Sequence, residues 1–231
     1  THPGDRTRRA PTPLSPLSRT LLRLVWSERQ ISRAELARRT GLSRSTITEL
    51  VPALLATSLV VEAGVGPSSG GRRPILLQFR DDAFVILGVD LGATHVSVAV
   101  MDLRGSVLAW QHRDFAVQED PEGTRALVTR LCRSTLTAAR VERDRLIGIG
   151  VALPSPIDPR HPERLHRLTL PKWNQEHRLR RLEEQFGVPV LFDNDANVGA
   201  LAEHFWGAAR GVSDFTFIKM GTGVGAGHVF N

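Results

Sequence analysis

Cysteine is almost absent from this chain. Cys132 stands alone among 231 residues, which excludes an internal disulfide, a staple-dependent secreted scaffold and an intramolecular cysteine-rich zinc site. A reducing compartment, the cytoplasm, is the expected setting. Long apolar runs are lacking too: no stretch of about 18 apolar residues is available to span a bilayer, so no membrane partner is expected. The Arg- and Pro-rich start lacks the apolar segment of a secretory signal. The chain opens on Thr1 rather than Met and stops just after a glycine-rich loop, so both ends are expected to be cut. What is present suffices for a core. With 41% hydrophobic and 23% charged residues the chain reads as soluble and globular, long enough for one large or two small domains.

The excess positive charge is confined to one end. Residues 1–83 hold 13 basic and 7 acidic side chains, a net of +6, whereas residues 84–231 hold 17 of each. A basic head on a neutral body suits a polyanion partner, because neutralising phosphates drives nucleic-acid affinity; a merely solvated surface is the plain alternative.

Residues 1–16 carry four prolines and three arginines without apolar periodicity and read as a flexible tail. Leu17, Leu21, Leu22, Val25 and Trp26 then fall on one helical face. Ser32-Arg33-Ala34-Glu35 has the form of a capping box and opens a second helix that stops at Gly41. Ser43 caps a third, with Ile47, Leu50, Val51, Leu54 and Leu55 at helical spacing. Two short helices joined by a glycine turn form a helix-turn-helix, in which the N-terminal residues of the second helix face base edges. Ser43, Arg44, Ser45, Thr46 and Thr48 are the candidate DNA contacts there. Leu59-Val60-Val61 and Ile75-Leu76-Leu77 flank a loop from Gly64 to Arg73 and predict a β-hairpin wing, with Arg72 and Arg73 placed for phosphate or the minor groove. Pro52 lies inside the recognition-helix pattern, where it removes a backbone hydrogen bond, so a kink or an early end is expected.

From Phe84 the period switches to strands. The order β-β-β-α-β-α-β-α-β is expected, an antiparallel meander followed by α/β units and hence a mixed sheet. Three polar clusters fall at strand ends, where α/β ligand sites form. Asp90-Leu91-Gly92-Ala93-Thr94 is a tight turn whose amides and hydroxyl can hold phosphate. Asp193-Asn194-Asp195-Ala196-Asn197 joins a strand to a helix; one side chain must cap that helix, while a carboxylate there can accept a sugar hydroxyl. Gly221-Thr222-Gly223-Val224-Gly225-Ala226-Gly227 lacks the Lys of a P-loop and the G-x-G-x-x-G frame, and its plain alternative is a hairpin.

In this order and spacing the clusters resemble the ROK family of repressors and sugar kinases, within the actin-like (ribonuclease-H-like) ATPase superfamily. The resemblance runs from about Leu17 to the end, through SRAELARRTGLSRSTITELV, GGRRP, GVDLGATHVSVAVMDLRGSVLA, GIGVALPSPID, LPKW, FGVPVLFDNDANVGALAEHFWGAARG and KMGTGVGAG. It implies an α/β fold, with a winged helix-turn-helix at 17–83 and a sugar-sensing, actin-like domain at 84–231 whose C-terminal half is missing. In the family's kinases Asp195 would be the catalytic base and Asn194 its neighbour on the sugar. Asp90, Gly92 and Thr94, with Gly221, Thr222 and Gly223, would hold the phosphates of Mg-ATP. Two departures matter. Ala93 replaces a usual second glycine and crowds the turn. Thr169 stands where a sugar-contacting Asn is usual, before Leu170-Pro171-Lys172-Trp173. The family's Glu-x-Gly-His segment and zinc motif would lie beyond Asn231, so no metal site is expected in this chain.

The expected function is that of a transcriptional repressor binding a palindromic double-stranded DNA operator as a homodimer or higher homo-oligomer and releasing it on binding a sugar. An ATP-dependent sugar kinase with an appended head is the alternative, and a fragment that binds DNA constitutively or only mediates interactions is a third. Cys132 and His228 receive no role.

Overall fold

A computed structural model describes residues 14–66, 73–162, 164–165, 170–173 and 179–230. The chain divides into two compact units between Ala83 and Phe84. In the first, helix α1 spans Pro16–Glu28; Ser15 caps it by accepting the Ser18 amide at 3.1 Å. Pro16, expected to close the tail, is instead the first helical residue, where its missing N–H costs nothing. Residues 1–13 lie outside the described residues. Of the predicted apolar face, Leu21 and Val25 are fully buried but Leu17 is exposed.

Strand β1 (Gln30–Ser32) leads into α2 (Arg33–Thr40), capped by Ser32, whose Oγ accepts the Glu35 amide at 3.1 Å. Gly41 ends α2 in the left-handed region with φ 69°, and Ser43 opens α3 (Arg44–Ala56) by accepting the Thr46 amide. Of the kink or early end expected at Pro52, the early end does not occur, and the helix runs on to Ala56. Pro52 sits on the exposed side, while its neighbours Val51 and Leu54 are fully buried, so packing of the inner face outweighs the lost hydrogen bond. Strands β2 (Val60–Val65) and β3 (Ile75–Phe79) form the wing, and β1 adds a third strand in the order β1-β3-β2 that the sequence pattern did not predict. The register of β2 against β3 shifts between Glu62 and Val65; Gly64, expected in the loop, lies within β2 at φ 81°, a conformation that suits a bulge.

The second unit has a five-stranded mixed sheet of order β6-β5-β4-β7-β8. Strands β4 (Val85–Leu91), β5 (His95–Asp102) and β6 (Val107–Asp114) form the antiparallel meander. After helix α4 (Pro121–Ala138), β7 (Leu146–Leu153) pairs parallel to β4, and after α5 (Arg181–Phe186), β8 (Val190–Asn194) pairs parallel to β7. Alternate residues of β4 (Val85, Leu87, Val89 and Leu91) join Leu127, Leu131, Ile149 and Val151 in the core. Asp120 caps α4 through Oδ1, which accepts the Gly123 amide at 2.8 Å, with Pro121 first in the helix. Helix α6 (Asp195–Phe205) then precedes an antiparallel hairpin, β9 (Phe215–Met220) and β10 (Val224–Val229). Hence the glycine-rich segment does build a hairpin. Gly227 is where it meets α6: an added Cβ would lie 2.3 Å from the Ala196 carbonyl oxygen and 2.8 Å from the Ala200 Cβ. No helix among the described residues is long and apolar enough to cross a membrane.

Candidate functional site

The recognition-helix start is built by its own hydroxyls. Ser43 Oγ lies 2.7 Å from Ser45 Oγ and 2.8 Å from Thr46 Oγ1, while Thr48 Oγ1 donates to the Arg44 carbonyl at 2.9 Å. Ser43, Arg44, Ser45 and Thr48 are exposed, and Arg73 is exposed at the exit of the wing. Arg72 lies outside the described residues. The neighbouring helix spends its cations internally. Arg38 Nε and Arg39 Nε donate to Glu35 at 2.8 and 2.9 Å, Arg39 Nη1 reaches Glu28 at 2.7 Å, and Arg33 pairs with Glu62 at 2.9 Å. The guanidinium groups of Arg38 and Arg39 hold the Glu35 carboxyl well below the usual range, at about 2. Arg44 and Arg73 have no ion pair among the described residues, so their charge stays available to an outside anion. Reading net charge alone would credit α2 with the same capacity.

In the body, three neighbouring strands end at one edge of the sheet. Asp90 of β4 is in register with Ala152 of β7, which is in register with Asp193 of β8. The predicted residues Asp90, Gly92, Thr94, Asn194 and Asp195 therefore share the carboxyl end of the parallel strands, where open α/β sheets place ligands. Gly92 donates its amide to the His95 carbonyl at 3.0 Å and closes the turn. His95, given no role from the sequence, fills the space beside it: its ring lies 2.1 Å from where a Gly92 Cβ would be, and its Nε2 is 3.2 Å from Asp90 Oδ2. Behind it, the His112 ring stands 5.1 Å away and its Nδ1 is 3.0 Å from Ser97 Oγ.

The second cluster resolves which side chain caps α6. Asn194 does: its Oδ1 accepts the Ala196 amide at 3.0 Å and its Nδ2 donates to the Ser155 carbonyl at 3.1 Å, tying α6 to the segment after β7. Asp193 Oδ1 accepts the Asn194 amide at 2.7 Å and the Asn197 Nδ2 at 2.9 Å. Asp195 is thereby left out of the capping and pairs instead with the strand that leads into the glycine-rich turn. Lys219 of β9 donates to its Oδ2 at 2.6 Å. Lys219 was missed by sequence reasoning, although it falls with Phe215 and Phe217 on the less exposed face of β9, a polar residue in an apolar alternation. The turn at Gly221 and Gly223 follows directly, and an added Cβ at either meets nothing within 4 Å. That turn faces open space, whereas the turn at Gly92 is covered by the His95 ring. Thr169 lies outside the described residues. No group of three or more His, Cys, Asp or Glu among the described residues is placed to hold a metal ion. A groove of about 680 Å³ between α4 and α5, lined by Arg125, Arg130, Arg133 and Arg181, shares no residue with this site.

Comparison with known proteins follows the same division. Residues 86–231 match the ROK family, and residues 14–60 match the winged helix-turn-helix DNA-binding family. The xylose repressor of Bacillus spizizenii is 33% identical over 211 residues, covering 91% of this chain and 54% of the repressor. The DNA-binding transcriptional dual regulator NagC of Escherichia coli is 28% identical, with 93% of this chain and 52% of NagC covered. The chain thus spans about half the length of the curated relatives it matches. Among solved structures, a ROK family transcriptional regulator described as a homolog of the E. coli MLC protein aligns with TM-score 0.74 and 26% identity, over 93% of this chain and 54% of that one. A ROK family glucokinase from Streptomyces griseus, in complex with glucose and AMPPNP, aligns with TM-score 0.53 and 26% identity over 63% of this chain and 44% of that one. The matches to the repressors and to the regulator include the head; the kinase match does not extend over so much of the chain. The ROK family match over residues 86–231, with the winged helix-turn-helix match at residues 14–60 before it, shows that this chain belongs to the ROK family.

Proposed function

We propose that this chain is the DNA-binding and sugar-sensing part of a cytoplasmic transcriptional repressor that acts as a homodimer on a palindromic operator. The carrying observation is the recognition-helix start, where Ser43, Arg44, Ser45 and Thr48 are exposed and Arg44 has no ion pair among the described residues, on a unit holding all the excess positive charge. Likeness to xylose and N-acetylglucosamine repressors supports a sugar as the effector. Asn194 and Asp195, together with Thr169, are the proposed sugar contacts. Asn194 keeps one hydrogen of its amide and one lone pair for that purpose after its cap and its bond to Ser155. Sugar lowers operator affinity by binding one of two conformations better than the other.

A second reading, an ATP-dependent sugar kinase, rests on the likeness to the S. griseus glucokinase and on the open turn at Gly221, Thr222 and Gly223. Asp195 would then take the sugar hydroxyl proton, and Asp90, Gly92 and Thr94 would lie toward the phosphates of Mg-ATP. The His95 ring over Gly92 and the methyl of Ala93 weigh against it. The deciding experiment is enrichment of genomic DNA fragments at stated salt, with and without a panel of sugars, beside an assay of ATP turnover. Selection of a palindrome that one sugar weakens is expected; sugar-dependent ATP turnover without DNA selection would overturn the repressor reading.

A further inference from the structure

The candidate sugar site contains a cation that no sequence motif assigned. Lys219 Nζ donates to Asp195 Oδ2 at 2.6 Å across a chain separation of 24 residues, joining β9 to the first turn of α6. The Asp195 side chain retains 14% of its exposure and that of Lys219 retains 38%, so the pair opens toward solvent on the ammonium side. An ammonium has three donors, and Lys219 gives one of them to another described residue; among the described residues the Asp195 carboxylate, with Oδ2 occupied, keeps Oδ1 as an acceptor. The two charges offset one another, so the pair exerts little pull on an anion. A donor and an acceptor set side by side match two neighbouring hydroxyls of a sugar ring, one accepting from Lys219 and the other donating to Asp195.

We propose that Lys219 is a specificity-determining, sugar-contacting residue that acts with Asp195 to select a neutral sugar bearing adjacent free hydroxyls. The proposal rests on the sugar-sensing reading above. It places recognition on a pair of side chains and adds to the acceptor already foreseen at Asp195 a donor that only folding brings there.

The test measures binding of neutral pentoses, hexoses and their singly deoxygenated analogues to the full chain by titration calorimetry, for wild type, Lys219→Met and Lys219→Arg. Circular dichroism and thermal melting accompany each variant. Lys219→Met is expected to weaken binding of the preferred sugar at least tenfold, with substantial recovery in Lys219→Arg. One deoxy analogue, lacking the hydroxyl that Lys219 meets, is expected to bind wild type and Lys219→Met equally. Unchanged sugar affinity in a folded Lys219→Met variant would overturn the role of Lys219 while leaving the sugar-sensing reading intact. A loss equal for the parent sugar and every deoxy analogue would also overturn it, since that pattern marks a scaffold and not a contact. Absence of binding by the wild type to every sugar would remove both the sensing reading and this one.

Discussion

Arg44 and Arg39 show how much a single charge depends on its surroundings. Arg39 is shared between Glu28 and Glu35, whereas Arg44 is exposed at the start of α3 without an ion pair among the described residues. Arg44→Ala is expected to lower affinity for the selected DNA tenfold or more, about 1.4 kcal/mol, with an unchanged circular dichroism spectrum; fluorescence anisotropy against labelled DNA measures it, and unaltered affinity would remove Arg44 from the interface. Cys132 gives a residue-scale prediction of another kind. It is fully buried, and desolvation pushes its thiol up to about 12. The thiol therefore stays protonated throughout the neutral range. Native protein at pH 8 is expected to resist iodoacetamide, with one equivalent incorporated only after denaturation; rapid labelling of the native state, followed by mass spectrometry, would contradict that burial.

At the scale of elements, local signals and packing can oppose each other. Pro52 interrupts the ladder of α3, yet the helix continues to Ala56 because Val51 and Leu54 are buried beneath it. Since Pro52 is exposed, Pro52→Ala loses no core contact and restores a backbone donor. It is expected to raise stability by about 1–3 kcal/mol, part of the gain being offset by a more flexible unfolded chain, and thermal melting reads the shift. The hairpin offers a matched pair. Gly227→Ala drives a methyl into the Ala196 carbonyl of α6 and is expected to cost about 1–3 kcal/mol, whereas Gly223→Ala faces open space and is expected to be close to neutral for stability. Equal melting temperatures for the two variants would show that the hairpin does not pack on α6 through Gly227.

Across the whole molecule, charge and chemistry are partitioned between two compact units. The net +6 lies within residues 1–83 and the body is balanced. DNA affinity is therefore expected to fall linearly with the logarithm of salt concentration, with a slope near 0.9 per phosphate neutralised. A fragment of residues 84–231 is expected to show no such binding. Anisotropy titrations at several salt concentrations decide this, and salt-dependent binding by the body alone would place part of the interface there.

Much of the fold was legible in the sequence because its signals are local. Ser32, Ser43 and Asp120 cap their helices across three residues, and apolar spacing marks α1, α3, α4 and the strands. The partition of charge, the three strand-end clusters and their family likeness also needed no coordinates. Other features depend on partners far along the chain, whose meeting requires a loop to close and a sheet to choose its order. Three-residue β1 exists only because β3 supplies its hydrogen bonds, and a run of three residues carries no readable period. The placement of β7 between β4 and β8 is likewise a matter of long-range pairing, and it brings Asp90, Ala152 and Asp193 into register. The polar run at 193–195 named the site, but tertiary contacts divided its labour: Asn194 reaches Ser155 and caps α6, while Asp195 turns to Lys219. Composition and periodicity are properties of neighbours in sequence, and so the sequence by itself determined most of the elements, the charge division and the candidate site residues. Which carboxylate meets which cation is a property of neighbours in space, and only the packed structure decided it.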